Sequence, residues 1–245
     1  MALYARLVDV IQLLPQLSFL RFPVGHAYLW ADPDGLTLID TGVPGSGPLI
    51  AEAIRGLGRG PGDLRRVVLT HFHEDHAGSA ADIAAWGEVE VLAHRADAPF
   101  IRGEAEGPPP ILPDWERPIW DRVHAGMSHE PVRPVRVDRE LDDGDLVDLG
   151  DGMEAVAVAA PGHTPGSVAL HLPEPRVLVT GDAVARTPDG EHVILGVFNT
   201  DPAQAAESFE RLAALDIEIA CFGHGEPVAQ GAGAELRVAA RRSGS

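Results

Sequence analysis

A single cysteine, Cys221, stands in a chain of 245 residues. One cysteine excludes an internal disulfide and any multi-cysteine metal site. Its place in the apolar run Ile219-Ala220-Cys221-Phe222 marks a small core residue rather than a nucleophile. Positive charge is also scarce: 19 basic residues face 37 acidic ones, for a formal charge of −18. Nucleic-acid binders need Lys and Arg to displace counterions from phosphates, so this balance argues against a polyanionic partner. The acidic surface reads instead as a solvated one. No apolar run approaches the roughly 18–20 residues of a membrane span. Arg6, Asp9 and Gln12 interrupt the N-terminus and no small-residue cleavage site follows, which is poor material for a secretory signal. The expectation is a cytoplasmic protein with no membrane partner.

What is present is ordinary in bulk. Apolar residues make up 45% and charged residues 23%, the composition of a soluble globular protein. The length suffices for a substantial core without a covalent or metal staple. No repeat or composition break divides the chain, so residues 1–245 are expected to form one domain.

Taken in order, residues 7–14 and 17–22 read as short strands broken by Pro15. His26–Ala31 and Leu36–Ile39 flank the turn Asp32-Pro33-Asp34-Gly35, a hairpin pattern. A helix is predicted from Pro48, with Leu49, Ile50, Ala53, Ile54 and Leu57 on its apolar face and Gly58 to stop it. Residues 67–70 form a strand, Gly78–Trp86 a helix, Val89–Ala93 a strand and His94–Ile101 a short helix. Five prolines between 108 and 118 forbid regular structure there. Further strands are predicted at Val135–Val137, Glu154–Ala159, Val168–Leu172, Arg176–Thr180 and Ile217–Phe222. Asp201-Pro202-Ala203-Gln204 has a cap, a proline and a polar partner in the order that opens a helix. A closing helix is predicted at Ala234–Arg241. Residues 103–130 and 183–200 are long loop insertions, and loops of that length often act as lids or pocket walls.

The most informative stretch is Val67–Gly78. A short apolar run ends abruptly in His71, His73, Asp75 and His76, four residues able to bind metal within six positions. The same pattern recurs along the chain. Apolar runs end before Asp40, before Pro161-Gly162-His163, before Gly181-Asp182 and before Gly223-His224. If these strands lie side by side in layered sheets, their ends share an edge and the ligands converge in one cleft. Neutral imidazoles and carboxylates suit Zn²⁺, and also Fe or Mn. His26, His94, His124, His129, His171 and His192 read as structural or exposed.

With these residues in view, the sequence resembles the metallo-β-lactamase fold hydrolases, in their glyoxalase II- and lactonase-like branch. Asp40, the motif His71-Phe72-His73-Glu74-Asp75-His76, His163, Asp182 and His224 carry the resemblance, which spans about residues 7–228. It implies a four-layer αβ/βα sandwich, two mixed β-sheets with helices on both outer faces and the site at one edge. It implies one metal on His71, His73 and His163, a second on Asp75, His76 and His224, and Asp182 bridging them. Asp40 would orient a ligand or the nearby backbone, as metal sites usually require. Two divalent ions, zinc first, about 3.5–4 Å apart would share a hydroxide that attacks a small-molecule ester, lactone, thioester or amide. Asp75 and Asp182 would take the catalytic roles. Many relatives pair through exposed helices or loops, so a homo-oligomer is compatible with the resemblance.

The resemblance also leaves departures. Relatives that cut nucleic acids carry an inserted domain. Flavin-dependent diiron relatives carry a Glu where His73 stands. Glyoxalase II-like thioesterases continue into a helical domain, which the short stretch after His224 is not expected to supply. Ala183-Val184-Ala185-Arg186-Thr187 lacks the Arg-rich motif of persulfide dioxygenase-like members, and lacks the Tyr of many acyl-homoserine lactonases. Two further readings stay open: an iron-dependent redox enzyme on the same ligands, and a metal-binding sensor without turnover. Trp115, Trp120, Met127 and Phe198 are the predicted apolar wall of a substrate pocket.

Overall fold

The computed structural model describes residues 8–126 and 130–243. Two sheets dominate. The first holds seven strands in sequence order: β1 (Asp9–Gln12), β2 (Leu17–Arg21), β3 (Ala27–Ala31), β4 (Leu36–Ile39), β5 (Leu64–Leu69), β6 (Glu90–His94) and β7 (Arg139–Leu141). Pairing is antiparallel from β1 to β4 and parallel from β4 to β7. The change in sense requires crossovers, and helices supply them: α1 (Gly47–Gly56) between β4 and β5, then α2 (Glu74–Ala77) and α3 (Ala80–Ala84) between β5 and β6. Beyond β6, α4 (Ala98–Ile101) and α5 (Arg117–Gly126) precede β7.

The second sheet is built from β8 (Leu146–Gly150), β9 (Met153–Ala159), β10 (Val168–Leu172), β11 (Val177–Val179) and β14 (Ile219–Cys221), in the order β14-β11-β10-β9-β8. Its one parallel pair, β11 with β14, brackets the small hairpin β12 (Val184–Arg186) and β13 (Val193–Leu195) and the helix α6 (Pro202–Ala213). The chain closes on α7 (Ala232–Ser243). Asp201 caps α6 as its sequence predicts, its Oδ1 accepting from the Gln204 N–H at 3.0 Å.

Side-chain alternation explains the layering. Along β3, Ala27 and Leu29 face the helices α1 and α3, whereas Tyr28 and Trp30 face the second sheet. Val67 and Leu69 of β5 point one way and Val68 the other. In the second sheet Val177, Val179, Ile219 and Cys221 face inward, while Leu178 and Ala220 pack under α6 and α7. Strands that bury both faces must be apolar at nearly every position, and these are. Each fully buried Leu, Ile or Phe contributes about 1.5–3 kcal/mol through burial. The result is helix, sheet, sheet, helix, with three apolar layers between.

Several sequence expectations are corrected. The strand predicted at Val135–Val137 lies four residues later, at β7, because Val135 is held by its own N–H to the Ile101 carbonyl rather than by a sheet neighbour. The helix predicted over His94–Ile101 is confined to α4, since His94 still belongs to β6. The insertion 103–130 contains α5, and the insertion 183–200 contains the hairpin β12–β13. Strand β8 was not anticipated. Among the described residues, no helix is long and apolar enough to cross a membrane.

Candidate metal centre

Strand direction gathers the predicted residues. In the first sheet β4 and β5 run parallel and end at Asp40 and at Thr70-His71. In the second, β9 and β11 both run antiparallel to β10, and β14 runs with β11. Their ends therefore share one edge, where the chain turns to present His163, Asp182 and His224. The two sheets are tied at that edge by the Tyr28 hydroxyl, which donates to the Phe222 carbonyl at 2.8 Å, and by the His26 N–H, which donates to Gly223 at 2.9 Å. Glycine is needed twice. Gly181 holds a φ of 53°, and a Cβ there would collide with Thr70. A Cβ on Gly223 would stand 2.0 Å from Asp182 Oδ1 and 2.7 Å from the His76 ring, filling the space between ligands.

Hydrogen bonds behind three rings fix which nitrogen faces the centre. The Thr70 hydroxyl donates to Asp40 Oδ2 at 2.7 Å, so it can only accept from His71 Nδ1, 3.0 Å away. The lone pair of His71 is thereby left on Nε2. His76 Nδ1 lies 2.9 Å from Asp40 Oδ2 and His163 Nδ1 lies 3.0 Å from the Val197 carbonyl, so Nε2 of each ring faces the centre. Asp40 also accepts from the Thr70 N–H at 2.8 Å, and its left-handed φ of 60° is one an Asp tolerates. A carboxylate behind a ligand imidazole sets its tautomer and raises its basicity.

Forward of the rings, the donor atoms converge. His163 Nε2 and His73 Nδ1 face each other at 2.9 Å. His71 Nε2, His76 Nε2 and Asp182 Oδ1 are buried without a hydrogen-bond partner. Asp182 Oδ1 stands 3.2 Å from His76 Nε2, while its Oδ2 stands 3.2 Å from His224 Nε2 and 3.6 Å from His163 Nε2. Asp75 Oδ2 lies 3.1 Å from His224 Nε2. Three ligand groups follow, each with its atoms within 4.8 Å of one another: His71, His73 and His163; His71, His76 and Asp182; Asp75, His76 and His224. Buried lone pairs aimed at one another are costly unless something electropositive lies between them. The donor set fits divalent metal on this ground.

The electrostatics separate the two halves. Burial drives His71 well below the usual imidazole range, His163 below it, and His73 down to about 3, so these three present lone pairs. Burial also opposes charge on His76 and His224, but Asp182 and Asp75 outweigh it. His76 rises well above its ordinary value and His224 to about 10. For Asp75 and Asp182 burial opposes ionisation, yet His76 and His224 hold both well below the ordinary carboxylate value. Carboxylates that pull protons onto two imidazoles supply the field that draws in a cation.

Beside the ligands opens a cavity of about 540 Å³. Trp120 and Phe198 line it, with ring centroids 5.1 Å apart. Trp115 does not line it and is 62% exposed, and Met127 lies outside the described residues. One residue with a place at the site was missed by sequence reading. Asp97 is fully buried and accepts from the Phe72 N–H at 3.1 Å, the Thr164 hydroxyl at 2.7 Å and the Gly166 N–H at 2.6 Å. It joins the loop of His71 and His73 to the loop of His163. Its sequence position before Ala98-Pro99 imitates a helix cap, yet its side chain makes no cap bond to α4.

The sequence profile of the metallo-beta-lactamase superfamily matches residues 20–224. The probable metallo-hydrolase YflN of Bacillus subtilis is 33% identical over 218 residues, 81% of this chain and 78% of that protein. A hydroxyacylglutathione hydrolase of Rhodobacter capsulatus is 29% identical over 208 residues, 84% of this chain and 64% of that protein. A solved metallo-β-lactamase with an HARLDQ motif, from Cronobacter sakazakii, matches with a TM-score of 0.73 at 26% identity, over 98% of this chain and 93% of that one. A double sandwich with imidazoles and carboxylates gathered at one edge is the scaffold of a metal-dependent hydrolase. The chain belongs to the metallo-β-lactamase superfamily. It is accordingly a metal-dependent hydrolase.

Proposed function

We propose that this chain hydrolyses a small-molecule ester, lactone, thioester or amide at a centre of two divalent ions, zinc first. The observation that carries the reading is Asp182: its two oxygens reach His76 on one side and His163 and His224 on the other. One carboxylate placed between two ligand sets is what a paired site needs. His71, His73 and His163 would hold the first ion, and Asp75, His76 and His224 the second, with Asp182 shared. When bound, such a pair activates water as the nucleophile and polarises the carbonyl under attack.

The chain's own residues do the rest. Asp40 turns Nε2 of His71 and His76 toward the centre by holding their Nδ1 protons, directly for His76 and through Thr70 for His71. Val197 does the same for His163. Asp75 is an ionised carboxylate at the cavity floor, placed to accept a proton from the nucleophile and pass it to the leaving atom. The cavity walls would position the substrate.

Asp182→Ala and His73→Ala should each lower bound metal measured by elemental analysis. They should also cut turnover by more than the roughly 10–100-fold lost when an outer partner is removed. Full turnover by a preparation stripped of metal would sink the reading.

A further inference from the structure

The cavity beside the centre has a chemical character that the ligands do not dictate. Its walls away from the ligands are largely apolar and include Phe72, Phe100, Trp120 and Phe198 together with Val123 and Val197. Phe72 packs edge-on against both His73 and Phe100, with centroids 4.7 and 4.9 Å away, so the apolar wall begins at a ligand. The backbone of Gly107 closes on the Phe72 ring so tightly that a Cβ would stand 2.2 Å from it.

Basic side chains that could meet an anionic occupant are scarce. The chain contains no lysine; all 19 basic residues are arginine. Arg133 is the one arginine among the described lining residues, and it is ion-paired with Asp82. Away from the ligand set, a carboxylate or phosphate in the cavity would find no unengaged arginine among the described lining residues.

The α5 wall points to an apolar occupant. Ile119 and Val123 line the cavity yet remain 40% and 37% exposed. An apolar group in the cavity would cover them.

We propose that this cavity binds a neutral, apolar acyl chain, so that the substrate is an uncharged medium-chain ester, lactone or thioester. A substrate whose buried end carries a carboxylate or phosphate does not fit. The proposal rests on the hydrolase reading above for its catalytic meaning, but the binding it describes does not.

Two measurements test it separately. With metal-loaded protein, kcat/KM is measured for a series of 4-nitrophenyl esters from acetate to decanoate, and for half-esters of the same length that end in a carboxylate. The neutral series should rise by about threefold per added methylene until the cavity is full. The carboxylate-tipped members should fall at least about tenfold below their neutral counterparts, as an unpaired buried charge requires. Trp120→Ala should flatten the length dependence through KM. Val123→Glu, at a half-exposed position that tolerates the change, should do the same, and bound metal and melting temperature verify the fold of each.

The second measurement needs no turnover: 1-octanol and octanoate are titrated against the protein by calorimetry. Octanol should bind at least about tenfold tighter than octanoate, and the Val123→Glu variant should lose that binding. Octanol binding without hydrolysis of any ester would support the cavity assignment and defeat the hydrolase reading. Hydrolysis with a flat length series, or tighter binding of octanoate, would overturn the proposal and leave the hydrolase reading standing.

Discussion

At the scale of single residues, Asp97 is the side chain on which the placement of the first ligand set depends. Three donors from two loops meet its two oxygens, and neither loop belongs to its own helix. Burial pushes its carboxyl up to about 6, and the three donors oppose a further rise. The sign follows from linkage. A folded-state value above the unfolded one means that the fold binds the proton more tightly, so the stabilising contribution is complete below about pH 4 and is lost as pH rises through about 6. Asp97→Asn cannot titrate and turns an amide N–H₂ toward one of the three donors. It should destabilise the fold by roughly 1–3 kcal/mol. The gap between native and variant should be widest near pH 4 and narrow by pH 7. Urea unfolding at several pH values checks both statements, and a gap that widened with pH would refute them.

At the scale of elements, two insertions meet over the cavity and are clasped together. Glu116, 4% exposed at the start of α5, accepts from the Phe198 N–H at 3.0 Å, and the Ile111 N–H donates to Asn199 at 2.8 Å. Phe198 holds a φ of 62°, a conformation that costs of order 1–3 kcal/mol in a non-glycine residue and persists only where its surroundings enforce it. Its neighbour Val197 is the residue that orients His163. Glu116→Ala should therefore free Phe198, cost about 1–3 kcal/mol for the stranded N–H and speed amide exchange over 196–200. Unchanged exchange in that segment would show that Glu116 does not hold it.

These insertions are also where sequence and structure part company. The strand ends were legible because Asp40, His71, His163, Asp182 and His224 each follow an apolar run with a residue type able to bind metal. Helix α5 was hidden by the prolines before it and at its start, which mark the stretch as loop although Ile119, Trp120 and Val123 keep helical spacing. Strand β8 does alternate, with Val147 and Leu149 buried. The Asp- and Gly-rich stretch around it reads as turn. Strands β12 and β13 have three residues each, too few to show any period. Asp97 was obscured differently, since a local role as helix cap was available to explain it.

At the scale of the whole molecule, the ligand set spans two sheets. His71, His73, Asp75 and His76 follow β5 of the first sheet, whereas His163, Asp182 and His224 follow strands of the second. Metal bound here would staple the sheets at the edge where only a few backbone and hydroxyl bonds join them. It would also neutralise part of an acidic centre in a chain that carries a formal charge of −18. Binding to the folded form alone, at a free concentration a thousandfold above Kd, stabilises by about 4 kcal/mol. In a chain of this size that corresponds to a rise of roughly 8–16 °C in melting temperature. Chelation should lower the transition by about that amount and added Zn²⁺ should restore it. Asp182→Ala, which removes the shared carboxylate, should melt at one temperature whether or not Zn²⁺ is present in modest excess. If stripped and reloaded native protein melt together, the metal does not join the sheets, and the double sandwich holds its edge through the packed core and hydrogen bonds such as those of Tyr28 and His26.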